Sequence, residues 1–410
     1  MAKHIKRAVK AALFIAAILY MPYKVFEWIT IETFKTQVFL AFVGSALQGV
    51  FSKGTDGGVQ NFGTKFANRS AIAPRQIIYG ECRVGGTIVN IRTSGTDNHK
   101  LHLLIALAGH ECQSLENISI GDTTLTTSTS GSFQMVTNSK YTNTDNDNAF
   151  ASGRLIRYRF VDGSQTTADA SVRTAMPGMT TTDIGKDIAY VYVECIYDNE
   201  KFGSFPNLSF VVKGKKVFDP RNSSTAFSSN PALIIRDFLS DNIYGLKATS
   251  DELNDTTNAG GFSSAANTCD QSVTLNNVGA TANRYTCNGF TDMGANPQDV
   301  IRMLLTSCGG KLSYVDGKFQ LFVAAAQTPS LTITDDDILS PPVFSTGNAE
   351  SLPNAVKSVF VDSLQRYQPG DCPVEEDSTF LSEDTPTGES SANYKSILEL
   401  QLPFTTNIKD

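Results

Sequence analysis

Charged residues are scarce in this sequence: Asp, Glu, Lys and Arg make up only 18% of 410 residues, against about 25% in an average globular chain. Ser, Thr, Asn and Gly stand in their place, which marks strand-and-loop proteins rather than helical enzymes. Histidine is rarer still, with His4, His99, His102 and His110. Three of these lie near Cys112, but the spacing does not make a zinc site. His102 and His110 share a strand face yet stand roughly 26 Å apart at strand rise, and His99 and His102 point to opposite faces. The seven cysteines (Cys82, Cys112, Cys195, Cys269, Cys287, Cys308, Cys372) are odd in number and contain no CxxC. That excludes a secreted disulfide framework. Cys269 and Cys287 flank 17 residues, a spacing open to pairing, with buried thiols as the default. GxSxG, the P-loop, HExxH and a GxGxxG with an acidic partner are all missing, so no residue pattern points to an enzyme, a metal or a cofactor. Asp145 and Asp147 sit in a Ca-loop-like stretch without the required Gly, and Ile156 takes the place of the bidentate Glu. Asp335, Asp336 and Asp337 could be carboxylate ligands, but the preferred reading is that Thr334 or Asp335 caps a short helical turn.

The charge that is present is unevenly placed. The total is −7, from 34 basic and 41 acidic residues. A chain this acidic lacks the basic footprint of a nucleic-acid binder, so specific nucleic-acid binding is not expected. Residues 1–50 hold Lys3, Lys6, Arg7, Lys10, Lys24 and Lys35 against Glu27 and Glu32, a net +4, which leaves −11 on the rest. In this basic head Ile5, Val9, Ala12, Leu13, Ala16 and Tyr20 recur at helical spacing, as do Phe39, Phe42, Val43, Ala46, Leu47 and Val50. Pro22 breaks the first run. No small-x-small cleavage site follows Met21, against a signal peptide. The first run is too short to span a bilayer and the second borderline. The favoured reading is a pair of helices that bury apolar faces on a partner, on each other or at a membrane surface. Leu13, Ile18, Trp28, Phe39, Phe42, Val43 and Leu47 are the expected contact residues. Residues 54–68, glycine-rich at first, read as a linker.

The body alternates in short strands. Residues 77–92 show β-branched alternation around a bend at Gly85-Gly86, and 101–108 is a buried-strand run. Residues 117–125 turn at Gly121-Asp122. The polar stretch 126–154 lacks a periodic apolar set and reads as a surface insertion. Residues 188–197 alternate clearly, and 208–218 read as a strand pair. Asn230-Pro231 and Asn296-Pro297 are helix starts, because Asn accepts from free first-turn amides and Pro suits the first helical position. Asp316-Gly317 signals a type I′ hairpin that sets Tyr314 opposite Phe319 and Leu312 opposite Leu321. Residues 355–361 and 397–402 are further strands. The fold class is α+β and strand-dominated.

Six stretches in order resemble one family, the tail-tip attachment or host-specificity (J-type) central hub proteins of long-tailed bacteriophages and gene transfer agents. They are IAPRQIIYGECRVGGTIV (72–89), LHLLIALAGHE (101–111), VVKGKKVFDPR with NPALIIRDFLSDNIYGL (211–221 and 230–246), ANTCD with RYTCNGF (266–270 and 284–290), GGKLSYVDGKFQLFVAAAQTPSLTITDDDI (309–338) and ELQLPFTTN (399–407). Together they cover most of 69–410. The resemblance implies β-rich domains akin to tail-tube and baseplate-hub subunits and a non-catalytic virion part at the tail tip, assembled in the host cytoplasm. It further implies a homotrimer that closes the tube, opens for genome ejection, and contacts the distal tail protein, the tape-measure protein and other tail-tip proteins. The expected organisation is an apolar head at 1–53, a linker at 54–68, a hub domain at 69–220 with its insertion at 126–154, an α+β hub domain at 221–328, and a β-rich domain at 329–410. The family's chain usually continues past the LPFTTN-like segment, so this last domain is expected to continue too. The head is not a fixed family motif; contact with the host membrane through 1–53 is a further expectation. A membrane-anchored surface adhesin is the alternative reading.

Overall fold

The computed structural model describes residues 73–198, 200–201, 206–274, 281–325 and 353–407. The head, with Leu13, Ile18, Trp28, Phe39, Phe42, Val43 and Leu47, lies outside them, as do Asp335, Asp336 and Asp337.

The described chain is strand-dominated. Strands β1 (Gln76–Tyr79), β2 (Glu81–Val84), β3 (Thr87–Ser94), β4 (Lys100–Ala108), β5 (Ser114–Ile120) and β6 (Thr123–Thr124) come first. The hairpin β7 (Thr127–Ser130) and β8 (Phe133–Val136), then β9 (Ile156–Val161), helix α1 (Ala170–Ala175), β10 (Ala189–Ile196) and β11 (Leu208–Lys213) follow. Strands β2 to β11 form two sheets, in the orders β3-β4-β10-β9-β8-β7 and β2-β11-β5-β6. Val84, Leu103, Ile105, Ile118, Val191, Val193, Phe210 and Val212 fill a common core. The alternation seen in β10 has a simple cause. Val191, Val193 and Cys195 face that core, while Tyr190 and Tyr192 face a smaller one with Val172 of α1 and Met176 just past its end. With both faces covered, the whole strand is buried.

Two expectations differ from the structure. The polar stretch 126–154 contributes β7 and β8 to the six-stranded sheet and buries Val136 and Tyr141. Its Ser and Thr side chains sit on an exposed edge strand, where no second apolar face is needed. The two strands of 208–218 are not partners of each other. Strand β11 stays in the four-stranded sheet, whereas β12 (Lys216–Asp219) pairs with β13 (Ser224–Phe227). Between them Gly214 presses on the Ile78 carbonyl so closely that a Cβ would stand 2.1 Å away, which redirects the chain.

The helical part begins with α2 (Pro231–Ser240) and α3 (Phe262–Cys269). Short strands β14 (Ser272–Thr274), β15 (Thr281–Asn283) and β16 (Gly289–Asp292), helix α4 (Pro297–Thr306), and the hairpin β17 (Lys311–Val315) and β18 (Lys318–Phe322) complete it. Asn230 Oδ1 accepts from the Ala232 amide and Asn296 Oδ1 from Gln298, both at 3.0 Å, as the two Asn-Pro starts predict. Leu233, Ile234, Phe238, Phe262, Ile301, Leu304 and Leu321 make its core, together with Tyr79 and Val217. Asp316 and Gly317 both have positive φ, 51° and 78°, and the predicted register holds, with Tyr314 and Phe319 rings 4.8 Å apart. Pairing of β1 with β16 ties this core to the sandwich.

The last part holds β19 (Ala355–Asp362), β20 (Gln368–Asp371), β21 (Glu375–Glu376), helix α5 (Ser378–Asp384) and β22 (Ile397–Leu402), with β22 parallel to β19. It sends Val361 and Tyr367 into the sandwich core and Phe404 into the helical core.

Candidate functional site

Two buried polar assemblies and one open groove are the chemically distinctive places among the described residues. The first assembly lies on the outer face of the six-stranded sheet. Strand register places His102 of β4, Glu194 of β10 and Arg157 of β9 side by side. Arg157 donates from Nε and Nη2 to Glu194 Oε2 at 2.8 and 2.6 Å. Its guanidinium lies over the rings of Phe133 and Phe150, 4.3 and 4.5 Å from their centroids. Tyr192 also donates to Glu194, at 3.2 Å. The Tyr192 hydroxyl thereby accepts from His102 Nδ1, and His102 Nε2 accepts from Ser94 Oγ, each at 2.7 Å. This bonding pattern assigns His102 the neutral Nδ1–H tautomer, and burial pulls its pKa down. Hydroxyl, imidazole and carboxylate do meet here, but Tyr192 separates the last two and His102 is 1% exposed. The assembly locks four strands together.

Beside it, Arg159 grips Asp169, with Nη2 to Oδ2 at 2.6 Å, while Asp169 caps α1 by accepting from the Ser171 and Val172 amides. Partial burial opposes the Asp169 carboxylate, but these donors outweigh it and hold its pKa below the ordinary range. This pair forms one wall of an open groove of about 700 Å³ that also takes in Gln113, Glu116, Gln134 and Asp162.

The second assembly joins the sandwich to the helical core. Lys215, in the connection between β11 and β12, donates to Asp237 Oδ2 at 2.7 Å, Asp241 Oδ2 at 2.8 Å and the Tyr244 hydroxyl at 2.7 Å. Tyr79 of β1 donates to the same Asp237 oxygen at 2.7 Å. Burial disfavours the Lys215 ammonium, but Asp237 and its other partners outweigh that and raise its pKa. Desolvation raises the pKa of Tyr79, which keeps it a donor.

Nearby, His110 Nε2 accepts from the Ile78 amide at 2.9 Å, and Nδ1 donates to the Glu111 carbonyl at 2.8 Å. Burial pushes its pKa down to about 4. An unfolded imidazole takes a proton below about pH 6.5, so between that and about 4 the unfolded chain binds more protons and stability falls as pH falls. The loss contributed by His110 is expected to reach about 3 kcal/mol at the acid end. Urea unfolding at pH 7 and pH 5 checks it: His110→Gln should reduce the pH dependence.

The candidate residues of the sequence thus fall apart in space. His102 belongs to the first assembly, His110 sits by the second with Cys112 Sγ 3.9 Å away, and His99 bonds the Thr96 carbonyl at the surface. No three metal-ligand side chains converge among the described residues. Cys269 and Cys287 are both free and buried. Asp145 and Asp147 lie in a loop whose Asn143 and Asn146 donate to Asp198. No described helix is long and apolar enough to cross a membrane. Sequence reading missed Arg157, Glu194, Lys215 and Asp237. The one signal for them was a Glu inside the otherwise apolar AYVYVECI of β10.

No family model matches the chain, and no curated protein matches it. Among solved structures, a chain of "Virion of native gene transfer agent (GTA) particle" aligns with it at 12% identity and a TM-score of 0.49, over 93% of this chain and 82% of that one. What the described residues define by themselves is a β-rich, multi-sheet protein whose buried polar groups tie its parts together.

Proposed function

We propose that this chain is a non-catalytic structural hub at the distal tip of a phage-type tail. Three copies close the tube, contact the distal tail, tape-measure and other tip proteins, and open for genome passage. The observation that carries the reading is the open six-stranded sheet. Its end strands β3 and β7 each have one partner among the described residues. Every neighbouring pair is antiparallel, so β3 and β7 run antiparallel to each other. Strand β7 of one copy can therefore meet β3 of the next with the alternation unbroken, and such a head-to-tail contact builds a ring when its rotation closes on three copies. The β7 edge, TSTS, is fully exposed and carries none of the Lys, Pro or bulge devices that protect solvent edges. The six family-like stretches, in family order, support the tail-tip position within this reading. The head at 1–53 would then line the lumen, against the tape-measure protein or its threefold mates.

Hairpin register provides a specific test. The Thr137 amide donates to the Thr126 carbonyl at 2.8 Å, and alternation along β7 then turns the Thr127 and Thr129 amides away from β8. Thr129→Pro should block the outer edge without removing a backbone bond of the sheet, at the loss of the exposed hydrogen bond from Gln134 Nε2 to the Thr129 hydroxyl. The expected result is a monomer in light scattering with the thermal midpoint within a few degrees of wild type. A wild-type chain that is monomeric at high concentration and absent from purified virions overturns the reading.

A further inference from the structure

The last part of the chain, 353–407, has no core cluster of its own: its buried Val361, Tyr367 and Phe404 belong to the other two cores. It also leaves large apolar side chains in water at one end of its sheet. Val374 is 41% exposed, Phe380 54%, Tyr394 37% and Ile397 47%. Their segments converge on the buried Asn354. Its side chain donates to Asp384 Oδ2 and to the Tyr394 carbonyl, both at 2.9 Å, and accepts from the Ser396 amide at 2.9 Å. Its carbonyl accepts from the Asp377 amide at 3.0 Å. The four exposed side chains thus sit on segments joined through Asn354, and exposed apolar residues concentrated in this way mark a contact surface.

Charge selects the occupant. Between 374 and 397 stand Glu375, Glu376, Asp377, Glu383, Asp384 and Glu389 against a single base, Lys395, which is already paired with Glu376 at 2.5 Å. A partner for this patch must bring apolar side chains together with positive charge. Residues 326–352, which run up to it in sequence, carry Asp335, Asp336, Asp337 and Glu350 and no Lys or Arg, so they have the wrong sign. Residues 1–50 have both properties: apolar runs at helical spacing and a net +4.

The connection is long enough. The described chain starts beside β16, since the Met293 amide bonds the Arg75 carbonyl, and Asn288 just before β16 bonds the Phe404 carbonyl. Residues 51–72 span on the order of 70 Å when extended, well beyond the roughly 35 Å of strand between Arg75 and the patch.

We infer that residues 1–50 dock on the acidic-rimmed apolar patch around Val374, Phe380, Tyr394 and Ile397, in their own molecule or an adjoining copy. This rests on the surfaces of the chain itself and is separate from the tail-hub reading. The test places a photo-crosslinking benzoylphenylalanine at Phe380 of the purified full-length chain and maps the cross-linked peptides by mass spectrometry. Cross-links should fall within residues 1–50, and Lys6→Glu with Arg7→Glu, which leaves the described body untouched, should cut their yield several-fold. Cross-links confined to 326–352, no cross-links, or a yield indifferent to the charge reversal would each overturn the inference. The same experiment on assembled particles overturns it if Phe380 is captured by another protein instead. Whether the chain is found in virions affects none of these outcomes.

Discussion

Lys215→Met is expected to destabilise the protein by about 3–5 kcal/mol, the usual effect of removing one partner from a buried ionic cluster. The side chain it removes is the donor to Asp237, Asp241 and Tyr244. Two carboxylates would then share a buried site with no cation between them. They would relieve the repulsion by taking up a proton, so the folded-state pKa of the pair would rise above the unfolded value. Stability contributed by such a raised pKa is present at low pH and lost as pH rises through it. Relative to wild type, the variant should therefore lose less stability in urea near pH 5 than near pH 7.5, a comparison in which the opposite His110 contribution, common to both chains, cancels. Equal destabilisation at both pH values would show that Asp237 and Asp241 do not depend on Lys215. Because Lys215 follows β11 of the sandwich while Tyr79 and Asp237 belong to the helical core, the same variant should loosen the junction between the two cores, visible as early hydrogen exchange at Ile78 and Lys215.

Arg157→Ala should have a similar effect, again about 3–5 kcal/mol. Glu194 is 1% exposed and would keep only the Tyr192 hydroxyl, while Phe133 and Phe150 would lose the guanidinium packed over them. The informative companion is Arg157→Met with Glu194→Leu. An apolar pair of similar volume requires no desolvated charge and is often neutral or stabilising, so the double variant should recover most of the loss. If the two single losses simply add in the double variant, the pair is not coupled and this account of the network fails.

Much of the local architecture was legible in the residues. The two Asn-Pro pairs start helices because a side-chain oxygen and a proline ring act within four residues. Asp316-Gly317 makes a hairpin because both residues accept positive φ. The alternation of AYVYVECI was also readable, with valines on one face and tyrosines on the other. The separation of β11 from β12 was not readable, since it depends on how closely Gly214 meets the Ile78 carbonyl from a distant strand. Nor was the place of β7 and β8 in a larger sheet, because the edge strand β7 needs no apolar signature and β8 meets β9 only through tertiary pairing. The polar assemblies were hidden for the same reason: Lys215 and Asp237, or Arg157 and Glu194, are ordinary surface residues by type until pairing brings them together.

Sequence alone determined where helices begin, where hairpins turn, which strand faces are apolar, and that a basic head precedes an acidic body. Those features follow from interactions between residues close in the chain, whose geometry the backbone fixes. Tertiary structure decided which strands are neighbours, which charges are buried and matched, and which edges and apolar patches remain open. Those depend on contacts between residues in different elements, from 22 positions apart for Lys215 and Asp237 to 158 for Tyr79 and Asp237, which no local pattern encodes.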